Sequence, residues 1–220
     1  MTIAARTRWT YLGLVIALFG IPAITTLHRV LAPDSAATSG IVARELAILA
    51  ITAFLLWIVT SKEKRPLSSI GLRADHIGRS LAWAVVLAAA CLAAAVACLA
   101  IYGAMGVHYG EGQSISRALP VTMLTVVRAG ISEEVLYRGY AIERLQSLTG
   151  SKWIAVAISL PLFAAFHFRQ GLAGVVIALV VGAVLTAFYL WKRDLLANMV
   201  GHFLVDFIPN VLLVGLGLVK

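Results

Sequence analysis

The sequence predicts an all-α, polytopic transmembrane bundle of about seven spans that encloses a polar cavity. Three observations predict it. The 220 residues are 61% hydrophobic, with a mean hydropathy of +0.94, whereas soluble domains are about 45–50% apolar. Apolar runs close to the ~20 residues that a helix needs to cross the hydrocarbon layer recur along the whole chain. No polar stretch between them is long enough to form a soluble domain, so residues 1–220 read as a single transmembrane domain.

The runs are 9–28, 42–60, 81–103, 118–148, 152–168, 172–191 and 195–218. The first follows Arg6 and Arg8 and lacks a small-x-small cleavage site, so it reads as a retained span rather than a signal peptide. The second ends at residues 61–80, "SKEKRPLSSIGLRADHIGRS", the main cytoplasmic loop, where Pro66 and Gly71 break helix. The third carries Cys91 and Cys98, seven residues and roughly 10 Å apart along a helix, too far for a disulfide. Both read as small buried hydrophobes. The fourth is too long for a simple span and predicts a tilted or broken helix with Glu133 and Glu134 in its second half.

A net charge of +8 raises the question of nucleic acid. No basic patch is interleaved with aromatic residues on a soluble surface, so nucleic acid is excluded as a partner and membrane lipid is expected. The cations instead follow the positive-inside rule. With the N-terminus in the cytoplasm, Arg6, Arg8, Lys62, Lys64, Arg65, Arg73, Arg79, Arg144, Lys152, Lys192 and Arg193 lie inside, and Arg29, Arg44, Arg117, Arg169 and Lys220 outside. Arg128 and Arg138 fall within spans.

A charged side chain at a helix centre costs at least about 2.5–3.5 kcal/mol, so intramembrane ionisable groups are candidates for function. Those singled out are Glu133, Glu134 and Arg138 on the fourth span, His167 at the end of the fifth, and Asn198, His202 and Asp206 on the seventh. Glu134 and Arg138 are spaced i,i+4 with the acid first, the better order for an ion pair. Glu133, turned by about 100° on an α-helix, lacks a partner on its own helix and is expected to face a polar cavity. Asn198, His202 and Asp206 form a polar stripe, and Phe163 and His167 repeat the i,i+4 spacing. The three helices are expected to converge on one water-containing site. "HYGEG", with His108 and Glu111, and the loop residues Asp75 and His76 read as solvated.

Glu133-Glu134-x-x-x-Arg138, Phe163-x-x-x-His167 and His202-x-x-x-Asp206 resemble, in order and approximate spacing, the three motifs of the CAAX protease and bacteriocin-processing membrane proteins. These include the type 2 CAAX prenyl endopeptidases and the abortive-infection proteins. "SSIGLR", ahead of the third span, resembles the family's upstream segment, and the motif core covers residues 118–210. The third motif ends in Asp206, where the prenyl endopeptidases carry Asn.

The resemblance implies a glutamic-type intramembrane endopeptidase. Glu133 and His167 would polarise a water that attacks the scissile carbonyl, and His202, assisted by Asp206, would stabilise the oxyanion. Asp206 would otherwise orient His202 and fix its tautomer. Glu134, Arg138, Phe163 and Asn198 would support the site. No cofactor is expected. The alternative is zinc held by Glu133, His167 and His202 with an open fourth position. The expected partner is a peptide or protein substrate, lipidated or membrane-anchored, and the expected location is the bacterial inner (plasma) membrane. Rival readings are a non-catalytic peptide-binding or immunity protein and a proton-coupled transporter.

Overall fold

The computed structural model describes residues 3–31, 38–107 and 118–218, and these contain helices and turns but no strand. His108 and Glu111 lie outside the described residues. Hydrocarbon offers no water to an unpaired backbone amide or carbonyl, so a chain this apolar satisfies its backbone inside helices. The first three are α1 (Ile3–Leu31), α2 (Thr38–Trp57, prolonged by a π-helical turn at Ile58–Lys62) and α3 (Ile77–Ala104). Then α4 (Leu119–Arg128), a π-helical segment (Ala129–Ile142) and α5 (Glu143–Thr149) run on as one rod. After it come α6 (Lys152–Ala165), α7 (Gly171–Lys192) and α8 (Leu195–Phe207), which continues through a π turn at Ile208–Leu212 into α9 (Leu213–Gly215).

All seven predicted runs are helical, and the chain is an integral membrane helix bundle. The expected span count is corrected. Among the described residues five helices are long and apolar enough to cross a membrane: Thr7–Leu31, Thr38–Lys62, Ile77–Ala104, Phe168–Lys192 and Leu195–Gly215. Of the other two runs, α6 has only 14 residues, short of the ~20 that a span needs. The rod is long enough but too polar to face lipid. Within its π segment every residue except Ile131 and Glu133 is buried, so its neighbours shield it. A hydropathy pattern cannot distinguish a helix bathed in lipid from one enclosed by other helices.

All five tryptophans sit at one end of the bundle, beside the segments that the charge count assigns to the cytoplasm. Lys62 lies over the rings of Trp9 and Trp57, 5.0 and 4.7 Å from their centroids. Lys192 covers Trp83 and Trp191 at 4.3 and 3.6 Å, and Lys152 covers Trp153 at 5.1 Å. Tryptophan with lysine is the composition expected at headgroup level. Asp75 and His76 in the adjoining loop are exposed, as expected. Cys91 is buried and Cys98 partly buried, and both are free thiols.

The same end is locked by one buried carboxylate. Glu63 is 4% exposed. Its Oε1 accepts from Thr10 Oγ1 (2.8 Å) and Tyr140 OH (2.7 Å), and its Oε2 accepts from Arg144 Nε (2.8 Å). Arg144 also reaches Ser69 Oγ at 3.1 Å. α1, the end of α2, the main loop and the rod are thereby tied together. Gly71, within "SSIGLR", has φ +79°, and a Cβ there would meet Tyr189 at 2.9 Å and the Arg193 carbonyl at 3.1 Å. This close approach lets the Gly71 carbonyl accept from Leu195 N (2.9 Å), seating the start of α8. Asp194 caps that start, its Oδ1 accepting from Ala197 N at 3.0 Å, and its Oδ2 takes Ser80 Oγ of α3 at 2.7 Å.

α8 is thus held between α3 and the π segment. Gly130 permits the second contact, since a Cβ there would meet the Met199 carbonyl at 2.8 Å.

Removing one partner of a buried ion pair typically costs about 3–5 kcal/mol, whereas replacing both often costs little. Arg144→Met is therefore expected to destabilise the detergent-solubilised protein by about that amount, and adding Glu63→Gln should recover part of the loss. Reversible denaturation of the two variants measures both. Gly71→Ala is expected to lower the apparent Tm, because it adds a left-handed backbone penalty of about 1–2 kcal/mol to a steric clash.

Candidate active site

The π segment changes the arithmetic of faces. Its i→i+5 turn is wider than that of an α-helix, and such geometry is found mostly in short pieces, frequently at functional sites. It turns residues five apart toward each other. Arg128 Nη1 donates to Glu133 Oε1 at 2.7 Å, and Arg128 Nε donates to Glu45 Oε2 of α2 at 2.5 Å. The expectation that Glu133 has no partner on its own helix is corrected: Arg128 is that partner. Glu133 still keeps 13% of its side chain exposed, against 0% for Glu134.

Glu134 is the hub of the cluster. Its Oε1 accepts from Arg138 Nη1 (2.9 Å) and from His202 Nδ1 (2.7 Å), and its Oε2 accepts from Asn198 Nδ2 (3.1 Å). Arg138 also donates to the Gly182 carbonyl (3.3 Å) and Thr186 Oγ1 (3.4 Å) of α7, and its guanidinium lies over the Phe163 ring at 4.1 Å. Asn198 Nδ2 reaches the Leu185 carbonyl at 2.9 Å. Both partners of Asn198 Nδ2 are acceptors, which fixes the orientation of the amide.

The imidazoles are oriented by the same logic. A carboxylate only accepts, so His202 Nδ1 carries the hydrogen it gives to Glu134, and Nε2 faces the other way. Nε2 lies 4.0 Å from Glu133 Oε2 and 3.8 Å from Asp206 Oδ2. Asp206 is expected to assist His202 at the oxyanion or, in the alternative, to orient His202 and fix its tautomer. The geometry gives the Nδ1 contact to Glu134 and puts Asp206, whose side chain is 34% exposed, on the Nε2 side. His167 sits in a turn just past the end of α6. Its Nδ1 donates to the Phe163 carbonyl at 3.0 Å, which leaves Nε2 without its proton in the neutral ring. Phe163 lies between the two histidines, 5.1 Å from the His167 ring and 6.5 Å from that of His202.

Glu133, Glu134, Arg138, Phe163, His167, Asn198, His202 and Asp206 thus fall in one neighbourhood, supplied by the rod, α6 and α8. Glu45 and the role of Arg128 were not anticipated. Glu45 was open to detection as an acid inside the predicted 42–60 run. Arg128 needed the five-residue spacing of a π-helix. The zinc alternative fits this arrangement poorly. Among the described residues no group of three or more His, Cys, Asp or Glu stands where it could hold a metal ion. One oxygen of Glu133 already faces a guanidinium, which disfavours a dication beside it.

Chemically, the site offers a carboxylate oxygen and an imidazole nitrogen 4.0 Å apart. That separation exceeds a hydrogen bond and is short enough for one water to contact both.

Residues 115–208 match the family model described as type II CAAX prenyl endopeptidase Rce1-like. No curated protein and no solved structure matches the chain. The matched segment contains all three motifs and the helices that carry them. This match, over somewhat less than half of the chain, supports the resemblance to the CAAX protease and bacteriocin-processing family that the three motifs carry.

Proposed function

We propose that the chain is a metal-independent glutamic intramembrane endopeptidase acting on a lipidated or membrane-anchored peptide. The observation that carries this reading is the facing pair of Glu133 Oε2 and His202 Nε2, 4.0 Å apart, with His202 Nδ1 held by Glu134. Glu133, assisted by His167, draws the proton from a water whose oxygen attacks the scissile carbonyl carbon. The new C–O bond places negative charge on the carbonyl oxygen. His202 meets that charge as the imidazolium, because its Nδ1–H is committed to Glu134 and only a protonated Nε2 can donate. Asp206, on the Nε2 side, balances the imidazolium. Collapse of the tetrahedral species breaks the C–N bond, and the proton taken by Glu133 passes to the leaving amine.

Preorganised donors at an oxyanion typically contribute about 2.7–4 kcal/mol, and a positioned general base about 10²–10⁴-fold in rate. The paired Glu134 and Arg138, with Asn198 and Phe163, hold His202 without touching substrate. The positive-inside count supports a cytoplasmic N-terminus.

The test is cleavage by purified, reconstituted protein of CAAX reporter peptides with and without a farnesyl group. Glu133→Gln is expected to lower kcat by about 10²-fold or more while leaving the apparent Tm within a degree or two of wild type. Wild type that binds a reporter without cutting it would instead establish the non-catalytic peptide-binding reading.

Arg138→Ala removes one partner of a fully buried pair and is expected to reduce folded protein, at a cost of about 3–5 kcal/mol. Unchanged thermal stability of that variant in detergent would contradict the supporting role.

Chelators should leave turnover unchanged, and elemental analysis of active protein should find far less than one zinc per chain. Stoichiometric zinc, with activity lost on chelation and restored by zinc, would reassign Glu133, His167 and His202 as ligands.

A further inference from the structure

A general base must keep one carboxylate oxygen aimed at the water, and neither Glu134 nor the histidines fix the Glu133 carboxylate in that pose. We propose that Glu45 and Arg128 are positioning residues: Glu45 anchors Arg128, and Arg128 holds Glu133 Oε1 so that Oε2 stays turned toward His202. The inference rests on the reading of Glu133 as the base.

Three observations carry it. First, the contacts are in series. Glu45 Oε2 accepts from Arg128 Nε at 2.5 Å, and Arg128 Nη1 donates to Glu133 Oε1 at 2.7 Å. These are two different nitrogens of one rigid planar fork, so the direction of one bond sets the direction of the other. The oxygen left over, Glu133 Oε2, is the one that lies 4.0 Å from His202 Nε2. Second, the assembly is graded in burial. Glu45 is fully buried, the Arg128 side chain is 10% exposed and Glu133 13% exposed, so the anchor is enclosed and the working end is open. Third, charges alternate along the whole line. Arg44 pairs with Glu45, Glu45 with Arg128 and Arg128 with Glu133. Beyond His202 the line resumes with Glu134 and Arg138. A buried carboxylate on α2 is costly unless it is paired, and Glu45 is paired with Arg128. Glu45 lies outside the segment that matches the family, and α2 contributes no other acid to the cluster.

A salt bridge that only held α2 to the rod would be indifferent to which Glu133 oxygen is engaged. A positioning device predicts a defect in turnover that spares binding. Misplacing a reacting group by about 1 Å can cost 10²-fold in rate.

The experiment uses the full chain in proteoliposomes with the farnesylated CAAX reporter. Arg128→Met is expected to lower kcat by about 30-fold or more, with KM within about threefold of wild type. Arg128→Lys keeps one charge but cannot hold two carboxylates in fixed directions, and is expected to fall between. Glu45→Gln, which leaves the Arg128–Glu133 pair in place, should also lower kcat with KM unchanged. It carries the kinetic test if Arg128→Met does not fold.

A second readout needs no activity. Hydrophobic carbodiimides attach to neutral intramembrane carboxyls, and a carboxylate held by a guanidinium is protected. Mass spectrometry of the Glu133 peptide should show several-fold more adduct in Arg128→Met than in wild type, and no such rise in Glu45→Gln, which keeps the Arg128–Glu133 pair. Wild-type kcat in both Glu45→Gln and Arg128→Lys, or unchanged labelling of Glu133 in folded Arg128→Met, would overturn the proposal. If wild type cuts no reporter, the endopeptidase reading fails while the labelling still decides whether Arg128 holds Glu133.

Discussion

The site depends on one fully buried carboxylate. Glu134 takes hydrogen bonds from Arg138, His202 and Asn198, which reach it from its own rod and from α8. An ionised carboxylate survives in such a place only when it is paired and hydrogen-bonded. Once Glu134 is satisfied, much else is determined. His202 has its tautomer and ring direction. Arg138 is drawn against Phe163 and the α7 backbone at Gly182. The rod and α8 must approach closely, which Gly130 allows. The hydrogen bonds thus organise the packing in a layer where hydrophobic burial gives little drive, since lipid tails are as apolar as the side chains themselves.

A second consequence is a division of labour between two adjacent acids. Glu134 spends both oxygens on structural donors. Glu133 spends one on Arg128 and keeps the other toward His202 Nε2. Two chemically identical side chains, one residue apart, are thereby given a fixed role and an open one. A buried carboxylate also organises the other end of the rod. There Tyr140 is committed to Glu63 within the lock that joins α1, α2 and the main loop. The charged groups of this molecule are few, and most of those inside the bundle are bonded in pairs or chains.

Much of this was legible in the residues. Seven helical runs follow from apolar length, the Glu134–Arg138 pair from i,i+4 spacing, and the shared face of Asn198 and His202 from the same period. Which helices are long and apolar enough to span was not legible, because α6 is shorter than its apolar run and the rod carries the enclosed polar groups. The pairing of Glu133 with Arg128 was hidden for a different reason. It depends on a π-helical turn, and face arithmetic at 3.6 residues per turn sends the two side chains apart. Gly130 and Gly139 sit near the ends of the π segment, but nothing in the residue pattern announces it. Glu45 was visible as an acid in an apolar run, yet its partner lies 83 residues away and only the fold joins them.

The central claim is that Glu133 and His202 flank the scissile bond. An experimental structure of Glu133→Gln with an uncleaved farnesylated CAAX peptide tests it most directly. The account predicts the scissile carbonyl oxygen about 2.7–3.1 Å from His202 Nε2. It also predicts the carbonyl carbon within reach, across one water, of the residue 133 side chain. A peptide lodged with its scissile bond away from both side chains, or bound outside the bundle, would contradict it.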